Sequence, residues 1–550
     1  MTPIGRDRAI ELPFGRVRAM AMAFTAMVML VMVGPHLGYV PLWDGRVYAN
    51  CVMDAAFNGV SMESLRCANH PSQGWALLLT LPQLVDPGSV AVLNATNLLL
   101  GVVAVVAFRV VLARAFPDGA HARELDLVAL ACAVHPVVLS TLLQPNVDFG
   151  VYVFFVVALA GLLTPSRLGT LTAIVGGTLC AFSKETGVAA YGLALGMTLA
   201  LEHVRSGASL AQGFRAASRR AALLSIPLVV FVVHVLLWNS THKIGAIWRH
   251  GWQKSSVDGF TFFDLSDPIF LNYAAGIFVL GFMWVVMLPV AVDAVTGLAR
   301  MSKRAPVRTV HGSDQLTLIA LTVLTFVLTY VLTSFRTWSN LRYFAVLYPL
   351  LLLLAYAALH RLGMSARLRR AALAAVVGLF VLASYRSIDP VSRAVYGTFD
   401  TGIRRMYRMT SLTGEFEGPG RDQLVYNLEF TGYHDVQNVL YALLKPTTST
   451  VIGTPRHVRW NIWTQLDATT FERSMRRSSV VVPTYADEVD IPARRAADAW
   501  FLDFSNHGEK DNALQGLLLS YRVTDSLTVT AGGQQLTARH LVRREAPVLP

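Results

Sequence analysis

The feature that most constrains this chain is a succession of apolar runs, each long enough or nearly long enough to cross about 30 Å of hydrocarbon as a helix. They fall at Ala19 to Val40, Val90 to Leu112, Leu125 to Leu143, Val147 to Leu163, Leu168 to Phe182 and Thr186 to Leu201. The series continues at Ala221 to Trp238, Phe270 to Val292, Leu316 to Leu332, Phe344 to Leu359 and Ala371 to Tyr385. With 54% hydrophobic and only 15% charged residues, the chain is too apolar for a soluble globule. The expected fold is an all-α polytopic membrane bundle of about 11 spans, followed by a soluble α/β domain. The first run follows Arg6, Arg8, Arg16 and Arg18 but lacks a small-residue cleavage site before Pro41, so it reads as a retained anchor.

The formal charge of +12 is scattered between spans rather than gathered in one basic module, so no nucleic-acid partner is expected. The positive residues set orientation instead. With the N-terminus cytoplasmic, the even-numbered loops carry Arg114, Arg123, Arg167, Arg205, Arg215, Arg219, Arg220, Arg300, Lys303, Arg304, Arg308, Arg361, Arg367, Arg369 and Arg370. The odd-numbered loops are poorer in Lys and Arg, which is the positive-inside pattern. Localisation in the inner (cytoplasmic) membrane follows, with the tail outside. The expected domains are residues 1–388, a transmembrane catalytic unit with its first external loop at 41–75, and 389–550, an external soluble unit.

In that tail, charges, turn residues and short alternating stretches replace the long runs. Gln423 to Phe430, Thr450 to Ile452, Ser478 to Val482 and Trp500 to Phe504 read as strands, and Asp435 to Leu444 as a helix. Cys51 and Cys67 fall in the first external loop, where a disulfide closing about seventeen residues contributes roughly 3 kcal/mol in the chain-entropy model; two free thiols are the alternative. Cys132 and Cys180 lie in apolar spans.

Ionisable residues at or within spans are the informative ones, because each is costly to keep there without a partner or a wet cavity. Asp44, Arg46 and Tyr48 follow the first span, and His70 with Pro71 ends the same loop. Asp148 opens the fourth span after Gln144-Pro145-Asn146. Lys184 and Glu185 form the turn between the fifth and sixth spans, and Arg336 and Arg342 bracket the turn before the tenth, with Tyr343 beside it. All face the external side in this topology. Each also has a plain structural explanation: Asp44-Gly45 as a turn, Asp148 as a partner of the helix dipole, Lys184 and Glu185 as a local pair, Arg342-Tyr343 as an interfacial anchor. Their common depth and side make them a constellation. Two carboxylates among cations at an outer membrane surface suit transfer from a phosphate-linked lipid: an acid takes the acceptor's proton, and cations stabilise the departing phosphate. Displacement on the face opposite the leaving group inverts the anomeric centre.

Those residues resemble the GT-C superfamily of polyprenyl-phosphate-sugar-dependent glycosyltransferases, in particular protein O-mannosyltransferases and the aminoarabinose transferase of lipid A. The likeness covers about residues 17 to 390. Asp44-Gly45-Arg46-Val47-Tyr48 stands where those families carry an acidic first-loop motif, and His70-Pro71 where they carry a basic residue before proline. Asp148 corresponds to their second acid, Ser183-Lys184-Glu185 to a Ser-Lys-Glu-like turn, and Arg342, Tyr343 and Pro349 to Arg-Tyr before a proline-containing span. The resemblance implies Asp44 as general base and Asp148 as a second acid orienting acceptor or base. Arg46, His70, Lys184 and Arg342 become phosphate contacts, with Tyr48, Glu185, Arg336 and Tyr343 as acceptor or support residues. Gly45 replaces the second acid of the first-loop motif, so a two-carboxylate metal site there is in doubt; a divalent cation remains undecided. Implied partners are a polyprenyl-phosphate-linked sugar, an envelope glycan, lipid or protein acceptor, and membrane lipids. Two rival readings are a transporter or flippase of a lipid-linked sugar, for which charges near mid-membrane and repeats are expected, and an O-antigen-ligase-like transferase.

Overall fold

A computed structural model describes residues 16–38, 43–67, 70–143, 145–207, 210–242, 268–303, 309–334, 341–386, 388–396, 398–400, 405–407, 450–453, 498–503, 518–531 and 534–544. The helices in order are α1 Arg16–Val33, α2 Trp43–Asn58, α3 Gln73–Gln83, α4 Val90–Ala115, α5 Ala122–Ala133, α6 Pro136–Leu142, α7 Val147–Leu162 and α8 Arg167–Ala181. They continue as α9 Glu185–Ser206, α10 Leu210–His242, α11 Pro268–Phe278, α12 Met283–Ser302, α13 Gln315–Ser334, α14 Leu347–Arg361, α15 Ala366–Tyr385 and α16 Pro390–Tyr396. Among the described residues, seven helices are long and apolar enough to cross a membrane. One bent pair and three shorter apolar helices complete the set, so the chain is an integral membrane protein whose spans follow the apolar runs. The apolar core is continuous across the bundle, with α7 and α14 buried on nearly every side while α10 and α12 leave large hydrophobic side chains exposed toward lipid.

Two runs are not single straight helices. The third, Leu125 to Leu143, bends by 55° between α5 and α6. Pro136 drives His135 into an extended conformation (φ −60°, ψ 130°), and the His135 ring accepts a hydrogen bond from the freed Val137 N–H.

The eighth run, Phe270 to Val292, is not one span either: it stops at Phe278, turns through Leu280–Phe282, and restarts as α12. Gly281 and Phe282 both adopt left-handed backbone, at φ 62° and 70°. Freed backbone donors in an apolar surround need partners. Asp389, fully buried just before α16, accepts from Phe282 N at 2.8 Å and from Trp284 Nε1 at 2.9 Å, and Ser392 Oγ accepts from Gly281 N at 3.1 Å. The sequence pattern shows the apolar run but not the break, because the compensating groups lie more than a hundred positions downstream.

Beyond α16, β1 Thr398–Asp400 pairs antiparallel with β2 Arg405–Tyr407. Four further strands, β3 Thr450–Gly453, β4 Asp498–Asp503, β5 Tyr521–Ala531 and β6 Gln534–Arg543, form one sheet in the order β3-β4-β6-β5. β3 and β4 are parallel, with Val451 opposite Trp500, and β6 is antiparallel to both β4 and β5. These first two coincide with the expected strands at 450–452 and 500–504. The expected strands at 423–430 and 478–482 and the helix at 435–444 lie outside the described residues. The β5–β6 hairpin adds a pair that the strand pattern above does not include; its sequence signal is Gly532-Gly533 between alternating stretches.

Candidate active site

Asp148 sits in the first turn of α7, whose N-terminus is capped by Asn146 Oδ1 accepting from Phe149 N at 2.9 Å. A carboxylate in that turn is favoured by the helix dipole, yet the dipole is only part of its role. The Asp148 carboxylate is buried, accepting from Lys184 Nζ at 2.7 Å and from Arg342 Nε at 3.3 Å. Lys184 comes from the turn between α8 and α9, and Arg342 from the one-turn helix Leu341–Phe344 that leads into α14. One helix start and two connections, separated by up to 194 positions, thus deliver one acid and two cations to one end of the bundle. The Lys184 ammonium also lies 3.9 Å above the centre of the Tyr343 ring, a cation–π contact. Burial acts to lower the pKa of Lys184, but the charge and hydrogen bond of Asp148, together with Tyr343, outweigh it and hold the ammonium above the ordinary lysine value.

The turn that presents Lys184 is tight. Gly187, in the first turn of α9, lies so close to the Cys180 carbonyl that a Cβ there would come within 2.1 Å of it. Ser183 Oγ donates to Leu179 O at 2.7 Å. The next residue, Glu185, faces the first loop, and its Oε2 lies 3.0 Å from His70 Nδ1. Gly74 N donates to Phe182 O at 2.9 Å, which ties the start of α3 to this turn and brings His70 against Glu185.

The loop that carries His70 is fastened to α2. Cys51 and Cys67 form a disulfide, Ser72 Oγ donates to Leu65 O, and Cys67 N donates to Ser72 Oγ. Tyr48, on α2, is buried between the His70 ring, 6.4 Å away centre to centre, and the Trp75 ring, 5.7 Å away and edge-on. Trp75 in turn packs on Gly150, where a Cβ would lie 2.5 Å from the indole, so only glycine fits one turn into α7. The rings therefore link the α2 motif to the helix that bears Asp148.

Of the residues singled out by sequence, Asp148, Lys184, Arg342 and Tyr343 meet in one group, and Glu185, His70 and Tyr48 in a second that is continuous with it through the Lys184-Glu185 peptide. Asp44 and Arg46 lie on the first turn of α2, on the same helix as Tyr48; their side chains and the whole of Arg336 are outside the described residues. Two basic residues not singled out by sequence also belong here. Arg66 is within electrostatic reach of Glu185, and His234, in α10, is close enough to feel Arg66. Burial lowers the pKa of the Arg66 guanidinium and Glu185 opposes that shift. His234 also meets Phe182 edge-on at 5.1 Å. Its sequence signal is a lone ionisable side chain inside an apolar run.

The arrangement of spans and connections can be compared with solved structures. ArnT from Cupriavidus metallidurans in the apo state superposes with a TM-score of 0.54 at 12% identity, covering 96% of this chain and 98% of that one. The same protein bound to undecaprenyl phosphate superposes with a TM-score of 0.51 at 15% identity, covering 95% and 97%. The chain has the fold of ArnT. No protein-family model and no curated protein sequence matches it. The likeness to ArnT covers nearly the whole length, at an identity where only the fold is shared.

Proposed function

We propose that this protein is a membrane glycosyltransferase that moves a sugar from a polyprenyl-phosphate donor to an envelope glycan, lipid or protein acceptor, on the external face and with inversion. The observation that carries the reading is the convergence of Lys184 and Arg342 on buried Asp148 at one end of an apolar bundle. Two cations fixed by one carboxylate leave net positive charge, which suits a departing lipid phosphate in a site of low dielectric. The fold shared with ArnT supports the reading, as does the undecaprenyl phosphate bound by ArnT.

In this scheme Lys184 and Arg342 contact the donor phosphate, with Arg46 and His70 as further phosphate contacts. The two oxygens of Asp148 face Lys184 and Arg342, one each, so Asp148 acts as the residue that positions both. Asp44 is then the group that takes the acceptor hydroxyl proton as that oxygen attacks the anomeric carbon and the sugar–phosphate bond breaks. Glu185 holds His70, and Tyr48 and Tyr343 shape the walls. Chain orientation with these groups outside follows from the arginine distribution of the loops.

The test is transfer by the purified full-length protein, offered a panel of polyprenyl-phosphate sugars and native envelope acceptors and read by mass spectrometry of the glycosylated product. Product with at least one donor, lost on Asp44→Asn, is expected. Absence of product with every donor, together with protein-dependent movement of lipid-linked sugar across vesicles, would overturn the reading in favour of transport.

A further inference from the structure

A second polar cluster lies at the opposite end of the bundle, separated from Arg342 by the length of α14. It comprises His121 in the 3-10 turn Gly119–His121, Glu124 in the first turn of α5, Tyr356 and His360 near the end of α14, and Arg369 at the start of α15. One candidate ligand atom from each of His121, Glu124 and His360 lies within 4.8 Å of the others. Tyr356 Oη is 3.0 Å from His121 Nδ1 and 2.8 Å from Glu124 Oε2, and His360 Nε2 is 3.4 Å from the same carboxylate oxygen.

Hydrogen-bond bookkeeping leaves this group incomplete. His121 Nε2 is 3.0 Å from the His311 carbonyl, which can only accept, so the proton is on Nε2 and a neutral ring has its lone pair on Nδ1. Tyr356 has one hydroxyl proton for two acceptors, Nδ1 and Oε2. His360 Nε2, in a side chain only 8% exposed, makes no hydrogen bond of good geometry, its nearest partner being Glu124 Oε2 at 3.4 Å. Arg369 balances the charge of Glu124, and the His121 Nδ1 lone pair is left facing the Tyr356 oxygen.

We propose that His121 Nδ1, Glu124 Oε2, His360 Nε2 and Tyr356 Oη form a structural zinc site. Donors about 2.0–2.1 Å from a tetrahedral zinc ion are roughly 3.3–3.4 Å apart; the spacings here run from 2.8 Å to within 4.8 Å and bracket that value, so small side-chain adjustments would complete the site. Imidazole and carboxylate are zinc ligands, and four protein ligands without an open position make a closed, structural site. The surroundings are those of a metal-binding shell: the ligating imidazole gives its other N–H to a backbone carbonyl, and Arg369 donates from Nε and Nη2 to the carboxylate at 3.0 and 3.2 Å. Binding would release the Tyr356 proton, and phenolate and carboxylate together offset the two charges of the ion. The ion would fasten α5, α14 and the turn at His121, which His311 connects to the segment before α13.

The test uses the full chain in detergent, stripped with chelator, then offered zinc or cobalt alone. One zinc per chain should survive desalting, cobalt should give the visible absorption of a tetrahedral site, and zinc binding should release about one proton and raise tyrosinate absorbance. His360→Phe should abolish stoichiometric binding, and Tyr356→Phe should weaken it about 10- to 100-fold, the range seen for perturbed metal surroundings. Retention of no metal by the wild-type protein, with no tetrahedral cobalt spectrum, would overturn the proposal. Wild-type affinity in His360→Phe would overturn it equally.

Discussion

The two ends of the bundle each bury a carboxylate beneath a tyrosine and a guanidinium, yet they are built differently. At one end Asp148 takes its partners from connections between helices, and its neighbours stay partly accessible: the side chains of His70 and Glu185 are 29% and 26% exposed. At the other, Glu124 is held by groups from the ends of α14 and α15, and the surrounding arginines are consumed by further ion pairs. Arg109 meets Asp126 at 2.6 Å, Arg361 meets Asp293 at 2.6 Å, Arg205 pairs with Asp314 and Arg220 with Glu202. At the first end one buried carboxylate faces two cations; at the second, Arg109, Arg205, Arg220, Arg361 and Arg369 each face a different carboxylate. Acidic groups therefore occur at both ends, and what distinguishes the candidate active site is the excess of cations around its buried acid.

The largest expected effect breaks the comparison on activity. Asp44→Asn should lower transfer about 10²- to 10⁴-fold, the usual contribution of a general base, with an unchanged melting temperature. Sugar transfer at the wild-type rate would remove Asp44 from the mechanism.

Stability separates the ends differently. Lys184→Met and Glu124→Gln each uncouple a buried ion pair, and loss of one partner of such a pair costs about 3–5 kcal/mol. Both should lower the melting temperature in detergent, but only Lys184→Met should also abolish transfer per folded molecule. Equal loss of activity in Glu124→Gln would erase the functional distinction between the ends. Asp389→Ala, which orphans the Phe282 N–H and the Trp284 indole, should cost about 1–3 kcal/mol for each buried donor left unsatisfied, read as a lower melting temperature.

The smallest effect sharpens the electrostatics of the first end. Since the Lys184 pKa is raised in the folded protein, its stabilising contribution is complete below the ordinary lysine value, about pH 10.4. It is lost only as pH climbs through the raised folded value. Donor affinity should therefore show no lysine titration between neutral pH and about pH 10, and a Lys184-dependent decline within that window would mean that Asp148 does not hold the ammonium.

The sequence by itself determined the membrane bundle, because eleven apolar runs leave the chain no other solvent. It also singled out Asp148, Lys184, Glu185 and Arg342, since ionisable residues beside long apolar runs stand out against their surroundings. It did not reveal that Asp148 engages both cations, that Arg66 and His234 join the site, or that Glu124, His121 and His360 meet at the far end. Nor did it reveal the break at Gly281-Phe282, whose donors are satisfied by Asp389. The physical reason is range: hydrophobic transfer is a local sum over consecutive residues and can be read along the chain. Pairing of a buried charge or an orphaned backbone donor depends on which helix ends pack together, and only the tertiary structure decides that.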